Sequence, residues 1–429
     1  MELRPQSYGD FSLELHQKVG AERTPVSGTI EVTHRCPLTC AHCYNNLPMA
    51  DGEARSTELS FQEYCQILDE ITEAGCLWLL FTGGEIFARK DFLDIYTYAK
   101  QKGLLITLFT NGTMITPEIA DYLTQWRPFS IEITLYGRTR ETYERLTRIP
   151  GSHERCMRGI RLLTERNLPL KLKTVAVSIN KHEIWDMKQF AMEESGRDFK
   201  FDAMMNPRID CSQSPLATRL KPEEVVALDL QDPERTSGWT KLTQESVSRT
   251  HLWAESDEVY QCGGGIQSFS IDPYGQMRIC VISQQDGYDL RRGSFREGWE
   301  NFLFQVRSKK STRVTKCVAC GLKEMCGMCP AMGELENQDP EAPVDFFCHV
   351  AHLRAQAMGL TVPPHGDCEY CQDGERHQDL RRSLDALEDG SAARELMALR
   401  NEKSLYLPIV TEGAAPAGAS CGSGCVSCS

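Results

Sequence analysis

Residues 29–43 read TIEVTHRCPLTCAHC, an apolar, β-branched run that passes directly into three closely spaced cysteines. The run favours a buried strand, because β-branched side chains pack well on a pleated surface. Three thiolates on one short loop can ligate three irons of a cubic [4Fe–4S] cluster, which leaves the fourth iron open for another ligand. Taken alone, the spacing leaves a three-cysteine zinc site as an equal alternative.

Short apolar runs alternate with amphipathic stretches from residue 28 to about residue 205. The predicted strands are Thr29–Thr33, Leu77–Thr82, Leu104–Thr110, Ser130–Leu135, Leu170–Val177 and Phe199–Met204. The clearest predicted helix, Glu58–Gly75, has one apolar face made of Phe61, Tyr64, Ile67, Leu68 and Ile71. Further helices are predicted to begin at Thr116-Pro117 and at Ser152. This alternation predicts an α/β fold in which six parallel βα units form a partial (β/α)6, TIM-like barrel.

Composition excludes several classes of function. The chain has 429 residues, 41% of them hydrophobic, which suits two or three domains with real cores. A net charge of −13 argues against nucleic acid as a partner, and we expect no membrane association because no apolar run reaches the length of a membrane helix. The first residues lack the pattern of a secretory signal, so we expect a cytoplasmic protein. An odd count of 19 cysteines then favours metal or iron–sulfur ligation over disulfides.

Two further polar loops follow predicted strands. The second strand ends in Thr82-Gly83-Gly84-Glu85, where glycines let a ligand approach the backbone and a carboxylate can hold an amino group. The third strand ends in the turn Thr110-Asn111-Gly112-Thr113. Either loop alone is typical of an ordinary strand-to-helix turn. A barrel, however, gathers such loops at one rim, so we expect them to meet the cysteine loop.

Together the three loops resemble the radical S-adenosylmethionine (SAM) superfamily over about residues 28 to 205. The resemblance implies that Cys36, Cys40 and Cys43 ligate a [4Fe–4S] cluster whose open iron takes the amino and carboxylate groups of S-adenosyl-L-methionine. It also implies that reductive cleavage of this cofactor generates a 5′-deoxyadenosyl radical. The cofactor contacts that it implies are Gly83, Gly84 and Glu85 to the amino group, His42 at the adenine, Thr134 at the sugar or carboxylate, and the Asn111 turn at the same rim.

A second field of cysteines follows the barrel. Its pattern is Cys262-x12-Gly275-x4-Cys280, then Cys317-x2-Cys320-x5-Cys326-x2-Cys329, then Cys348. Only five residues separate the two CxxC pairs, which makes one zinc ribbon the minority interpretation.

The field resembles the SPASM extension of radical enzymes that modify peptides. This resemblance implies one auxiliary [4Fe–4S] cluster on Cys317, Cys320, Cys326 and Cys348, and another cluster on Cys262, Cys280 and Cys329. The second set departs from the family, because the spacing before Cys329 is one residue short and no cysteine stands a few residues before Cys262. The cluster it holds would have an open iron, a [2Fe–2S] form or a distant ligand such as Cys211 or Cys368.

The predicted organisation has five parts. They are a lead-in (1–27), the radical SAM barrel (28–235), a linker (236–259), the SPASM-like domain (260–350) and a C-terminal extension (351–429) with two helices, Gln378–Glu388 and Ala392–Asn401, and a flexible cysteine-rich tail. Residues 207–250 are expected to be irregular, because Pro-Glu-Glu and Gln-Asp-Pro interrupt them. In that tail, Cys421, Cys425 and Cys428 repeat the spacing of the first cluster loop without its frame. Cys65, Cys76 and Cys156 are interpreted as small core residues.

The resemblances imply a radical SAM oxidoreductase that oxidatively modifies a peptide or protein substrate, as in the maturation of a precursor peptide. They also imply an electron donor such as flavodoxin or ferredoxin. The short lead-in leaves recognition of any leader peptide to a separate protein or to the C-terminal region. The alternatives are a radical SAM enzyme acting on a small molecule, such as a tetrapyrrole or a quinone-cofactor precursor, and a non-catalytic iron–sulfur electron carrier. A sulfatase maturase is disfavoured, since Val281 follows Cys280 where that subfamily carries an aspartate.

Overall fold

The computed structural model describes residues 7–247, 257–318, 320–360, 362, 364–365 and 367–398. The described strands, in chain order, are β1 (Ser27–Glu31), β2 (Arg35–Cys36), β3 (Leu47–Pro48), β4 (Trp78–Thr82), β5 (Leu105–Thr110), β6 (Ser130–Thr134), β7 (Leu170–Val175), β8 (Lys200–Asp202), β9 (Ser268–Ile271), β10 (Gln276–Arg278) and β11 (Tyr288–Asp289).

The described helices of the first half are α1 (Tyr8–Ala21), α2 (Gly52–Thr57), α3 (Phe61–Glu73), α4 (Phe92–Gln101), α5 (Pro117–Gln125), α6 (Arg140–Thr147), α7 (Ser152–Thr164), α8 (Ile184–Ser195), α9 (Pro222–Gln231) and α10 (Pro233–Val247). Those of the second half are α11 (Phe295–Glu297), α12 (Leu303–Arg307), α13 (Lys323–Cys326), α14 (Pro330–Asn337), α15 (Asp345–Ala357), α16 (His377–Glu388) and α17 (Ser391–Ala398). A π-helical turn, Gly298–Phe302, joins α11 to α12.

The predicted α/β fold with a partial barrel is confirmed. Strands β1, β4, β5, β6, β7 and β8 pair in that order, and every pairing among them is parallel. Each predicted strand matches an observed one to within a few residues. In β5 one face of the strand is buried, with Ile106 and Leu108, and the other face is half-buried, with Thr107 and Phe109, whereas in the edge strand β8 the second face is exposed. Because all these strands are parallel, the loops that follow them lie together at one rim of the open barrel.

Local signals explain the helix limits. Ser60 caps α3 in a capping box with Glu63, and the chain leaves the helix at Gly75 with φ +99°. Thr116 caps α5, with Pro117 in the first turn, as predicted. By contrast, residues 207–250 were expected to be irregular, yet they contain α9 and α10, so the predicted linker begins inside a helix.

The cysteine-rich region extends the barrel sheet. Strand β9 pairs in parallel with β1, in the register Ser27↔Ser268 to Ile30↔Ile271. Strand β10 returns antiparallel beside β9 and is followed by β11. Because β9 runs parallel to β1, the turn between β9 and β10 lies at the same edge of the sheet as the loop that follows β1, and the Tyr274 ring in that turn meets the His34 ring edge-on. Within the described residues, no helix combines the length and the apolar character needed to cross a membrane.

Candidate functional site

The loop that carries the first three cysteines is fixed to a neighbouring barrel unit. Cys36 ends the short strand β2 and is buried. The Thr39 amide donates to the Thr147 carbonyl at 3.1 Å. The Ala41 amide donates to the Leu146 carbonyl at 2.9 Å. These bonds hold the cysteine loop against the end of α6, so the thiols are placed by the barrel and not by the loop alone.

The three thiols lie close enough together for their charges to interact. Burial, followed by repulsion from Cys43 and Cys36, raises the pKa of Cys40 well above its usual range, while a hydrogen bond with the Tyr136 hydroxyl lowers it. Burial, followed by repulsion from Glu85, raises the pKa of Cys36. Adjacent buried thiols ionise only when a cation compensates their charge. The donor set therefore fits an iron–sulfur cluster, whose irons supply that charge.

The two glycines of the second loop are required by close packing of the chain. A Cβ at Gly83, where φ is +132°, would lie 2.2 Å from the carbonyl oxygen of Thr33. A Cβ at Gly84 would lie 2.3 Å from the carbonyl oxygen of His34. The Gly84 amide donates to the Thr33 carbonyl at 2.7 Å. The absence of side chains thus lets the second loop lie directly on the segment that leads to Cys36.

Glu85 joins the second loop to the third. Its buried carboxylate accepts hydrogen bonds from the Thr110 hydroxyl (2.7 and 2.9 Å), the Asn111 amide (2.8 Å) and the Phe87 amide (3.2 Å). Burial raises the pKa of Glu85 to about 6, although these hydrogen bonds lower it. The carboxylate therefore orders the rim, and its contact with the cofactor amino group stays a prediction.

Asn111 extends this network to the cluster thiols. Its Nδ2 lies 3.5 Å from the Cys36 Sγ, and its Oδ1 accepts from the amide (2.9 Å) and hydroxyl (2.6 Å) of Thr113. A donor aimed at a cluster sulfur is one means by which proteins tune iron–sulfur centres. The structure therefore brings the three predicted loops together.

His42 is a candidate ligand contact, because one of its ring nitrogens is buried and unsatisfied within the described part of the chain. Its Nδ1 is buried without a hydrogen-bond partner among the described residues, and its ring meets that of Tyr136 edge-on, with centroids 5.5 Å apart. Burial lowers the pKa of His42 to about 4, so the imidazole is neutral at physiological pH. Such an orphaned buried nitrogen fits a bound polar group such as adenine. Thr134 ends β6, two residues before Tyr136, which puts it at the same rim.

A buried network beneath the cysteine loop was not predicted. Glu31, at the end of β1, accepts hydrogen bonds from Asn45 (2.6 Å) and from the Tyr44 hydroxyl (3.3 Å), and pairs with His34 (3.3 Å). Arg208 adds bonds to the Cys43 carbonyl (3.3 Å) and to Asn46 (2.8 Å). The sequence gives no periodic or spacing signal for these pairs, because they join residues on different elements.

The cysteines of the second field form the two predicted groups. Burial, and then repulsion from Cys280 and Cys262, raises the pKa of Cys329 to about 11. Burial, and then repulsion from Cys320 and Cys317, raises the pKa of Cys326 to about 12.

Cys348 belongs with the second of these groups. Burial, and then repulsion from Cys326, raises its pKa, with smaller repulsion from Cys317 and Cys368. One cavity of about 590 Å³ connects both groups and is lined by Cys262, Cys280, Cys317, Cys320, Cys326, Cys329, Cys348 and Cys368. A thiol-lined cavity fits auxiliary iron–sulfur clusters, although the ligand sets stay predictions.

The remaining cysteines separate clearly from these groups. Cys76 and Cys156 are buried in the hydrophobic core, Cys65 is half-buried on α3, and Cys211 lies on a turn with φ +63°. No disulfide bond joins cysteines within the described ranges. The tail cysteines Cys421, Cys425 and Cys428 lie outside the described residues.

The family model described as the radical SAM superfamily matches residues 30–191. These residues form a radical SAM domain. S-adenosylmethionine and a [4Fe–4S] cluster are therefore its cofactors, and the chain is an enzyme. The match covers the strands and loops that carry the first three cysteines, Glu85 and Asn111.

Relatives extend the similarity beyond this domain. The AdoMet-dependent heme synthase of Methanosarcina barkeri is 25% identical over 328 residues, covering 70% of this chain and 90% of the relative. The PqqA peptide cyclase of Rhodopseudomonas palustris is 26% identical over 323 residues, covering 70% and 80%. Among solved structures, Streptococcus suis SuiB bound to precursor peptide SuiA superposes with a TM-score of 0.58 at 16% identity, covering 81% of this chain and 84% of SuiB. The similarity to each of these proteins therefore covers more of the chain than the match to residues 30–191 does.

Proposed function

We propose that this chain is a radical SAM enzyme that oxidatively modifies a peptide or protein substrate, in the manner of precursor-peptide maturases. The observation that carries the proposal is the adjacency of the first cysteine loop to the thiol-lined cavity. Burial and the Glu31 carboxylate raise the pKa of Tyr44, and smaller contributions come from the nearby thiols of Cys43 and Cys280. Tyr44 is therefore close to both the first cysteine loop and the auxiliary group.

That adjacency suits a net two-electron oxidation. The cofactors, when bound, supply one-electron cleavage of a sulfonium and abstraction of a hydrogen atom from an unactivated C–H bond. A second redox group beside the substrate would take up the remaining electron. The similarity to a peptide cyclase, and to SuiB in complex with its precursor peptide, supports a peptide as the substrate.

The half-buried face of the barrel strands offers contacts for such a substrate. Lys173 on β7 lies 3.0 Å from the Glu132 carboxylate on β6 and 2.8 Å from the centre of the Phe109 ring on β5. An ammonium, a carboxylate and an aromatic face within one contact distance suit the amide and side-chain groups of an extended peptide. In this proposal these residues position the substrate, while the Glu85 network keeps the rim loops in place.

Two partners follow from the chemistry. One-electron reduction of the first cluster requires a donor such as flavodoxin or ferredoxin, and a separate protein would present any leader peptide. We place the reaction in the cytoplasm, where reduced thiols persist, in line with the free state of the described cysteines.

The test uses the full chain, purified without oxygen and supplied with dithionite and S-adenosylmethionine. We expect 5′-deoxyadenosine from the native protein and none from the Cys36/Cys40/Cys43→Ala triple variant, which should keep its auxiliary iron. Candidate precursor peptides should then lose about 2 Da or a multiple of it, as hydrogen removal requires. Absence of 5′-deoxyadenosine under all conditions would leave an electron carrier as the surviving function.

A small-molecule substrate is the second candidate, because the similarity to a heme synthase covers 90% of that protein. The same reaction mixture distinguishes the two. Turnover of a tetrapyrrole carboxylate, with loss of carbon dioxide and no modification of peptides, would favour the small molecule. Lys173→Met should weaken binding of a propionate-bearing substrate more than that of a neutral peptide, because an ion pair with a carboxylate is stronger than a hydrogen bond to a neutral amide.

A further inference from the structure

Four metal-ligating side chains converge beyond the cysteine-rich field. His352 lies on α15, and His365, Cys368 and Cys371 lie on the segment between α15 and α16. One ligand atom from each residue lies within 4.8 Å of every other. His352, His365 and Cys368 are buried, and Cys371 is half-buried. Of the four, only Cys368 was named in the sequence analysis as a distant ligand for an auxiliary cluster, and it also lines the cavity described above.

The distances match the edges of a small tetrahedron. The Cys368 Sγ lies 3.4 Å from the His352 Nε2, and the Cys371 Sγ lies 3.5 Å from the His365 Nδ1. With Zn–S near 2.3 Å and Zn–N near 2.0–2.1 Å, a tetrahedral ion separates its sulfur and nitrogen ligands by about 3.6 Å. Both observed pairs are therefore already spaced as two ligands of one ion would be.

The surroundings orient the first histidine for coordination. The His352 Nδ1 lies 2.7 Å from the carbonyl oxygen of Cys348, one helical turn earlier. Since a carbonyl only accepts, Nδ1 carries the proton, and the lone pair of the neutral ring lies on Nε2, the atom that faces Cys368. A backbone carbonyl behind a ligating imidazole is the usual second partner of a zinc-bound histidine.

We propose that His352, His365, Cys368 and Cys371 bind one structural Zn²⁺ ion. Two thiolates and two imidazoles in a closed four-coordinate set are a preferred zinc environment, and Cys368-x2-Cys371 has the spacing of a zinc knuckle. An iron–sulfur core would place its ligands on different irons, on opposite sides of the core. Four ligand atoms that all lie within 4.8 Å of one another leave no room for such a core.

The ion would fasten the C-terminal helices to the auxiliary-cluster region. Only His352 comes from α15, whereas the other three ligands precede α16. The Lys316 ammonium pairs with Glu369, between the two cysteines, and Lys316 itself precedes Cys317. The zinc ion would therefore attach this segment to α15, which carries Cys348. The ion pair between Lys316 and Glu369 attaches the same segment to the loop that carries Cys317. The site is structural, because four protein ligands leave no open position.

Metal analysis of the full chain tests the proposal directly. We expect anaerobically purified protein to contain one zinc per chain in addition to its iron, with two sulfur and two nitrogen ligands at about 2.3 and 2.0–2.1 Å in zinc-edge X-ray absorption. Cys371→Ser, at the most accessible ligand, should lose the zinc and keep most of the iron. His365→Ala should do the same. Cys65→Ser, a half-buried thiol far from the site in sequence and on α3, is the matched control and should retain both metals.

Three outcomes would overturn the proposal. Wild-type protein from zinc-containing medium could contain far less than one zinc per chain. Cys371→Ser could lose iron while zinc stays unchanged, which would make this residue a cluster ligand. Zinc could also persist in both Cys371→Ser and His365→Ala, which would place the ion elsewhere. None of these readouts depends on turnover, so the result stands apart from that of the proposed function.

Discussion

Replacing Gly84 by alanine tests whether the glycine pair serves the packing of the rim. The new Cβ would lie 2.3 Å from the His34 carbonyl oxygen, so the two segments must separate by about 1 Å to reach van der Waals contact. That separation lengthens the bonds from the Gly84 amide to Thr33 (2.7 Å) and from the Glu85 amide to Arg35 (3.1 Å) to or beyond their limit. Two buried backbone bonds lost at about 1–3 kcal/mol each amount to about 2–6 kcal/mol.

For a domain of this size, that loss corresponds to a lowering of the melting temperature by roughly 5–20 °C. Scanning calorimetry of the iron-loaded protein under argon measures it, and iron per chain and S-adenosylmethionine affinity should fall in parallel. Gly52→Ala is the control, because Gly52 opens α2 with nothing within 4 Å of a new Cβ. It should be neutral or slightly stabilising. If Gly84→Ala has the same melting temperature as the wild type, the backbone at the rim tolerates displacement and the packing argument fails.

Three further substitutions probe buried charges. Asp229→Asn removes the partner of the buried Arg354 (2.8 Å) and should destabilise the protein by about 3–5 kcal/mol in urea unfolding, whereas an unchanged midpoint would mean that Arg354 finds another partner. Thr110→Val removes a hydroxyl donor from the Glu85 carboxylate and should cost about 1.5–3 kcal/mol, more at pH 8 than at pH 5, where Glu85 is protonated. Burial lowers the pKa of Lys173 to about 8, so the unfolded chain binds more protons between pH 8 and 10.5. This residue's contribution to stability therefore rises with pH in that window, and the rise should be missing in Lys173→Met.

The barrel and its rim could be predicted because their signals are local and periodic. Phe61, Tyr64 and Ile71 recur at helical spacing, and in the structure Tyr64 and Ile71 are buried in the hydrophobic core while Phe61 packs against it. The cysteine triplet, the glycine pair and the Asn111 turn each follow a strand, and parallel topology alone brings such loops together. Their positions therefore followed from the order of elements without knowledge of any tertiary contact.

The helices α9 and α10 were missed for a specific reason. Pro222 and Pro233 interrupt the sequence, and their Pro-Glu neighbours were interpreted as irregular punctuation. In the structure each proline occupies the first residue of a helix, where its missing amide proton has no intrahelical acceptor to lose. Acidic residues directly after each proline suit the positive end of the helix dipole. A Pro-Glu pair thus indicates the start of a helix when an apolar run follows it, as Val225-Val226 follows Pro222 in α9.

The role of Glu85 shows what residue type alone leaves undecided. A carboxylate after two glycines indicates a ligand for an amino group, but the sequence is equally compatible with a carboxylate that holds its own chain. The structure engages both oxygens with Thr110, Asn111 and Phe87. Three donors occupy three of the about four lone-pair sites of the carboxylate, so one site stays open for an amino group, and the two roles are compatible. The geometry thus adds a positioning role without removing the predicted one.

The sequence alone groups only three of the four ligands of the histidine–cysteine site. His365-x2-Cys368-x2-Cys371 offers three ligands at close spacing, whereas His352 lies on a helix thirteen residues before His365. On that helix, positions four apart share a face, so His352 lies one turn beyond Cys348. The hydrogen bond from the imidazole to the Cys348 carbonyl then joins a predicted cluster ligand to the proposed zinc ligand through the backbone. If both assignments hold, one helix orients ligands for two metal centres, and the approach of His365, Cys368 and Cys371 to that helix completes the second.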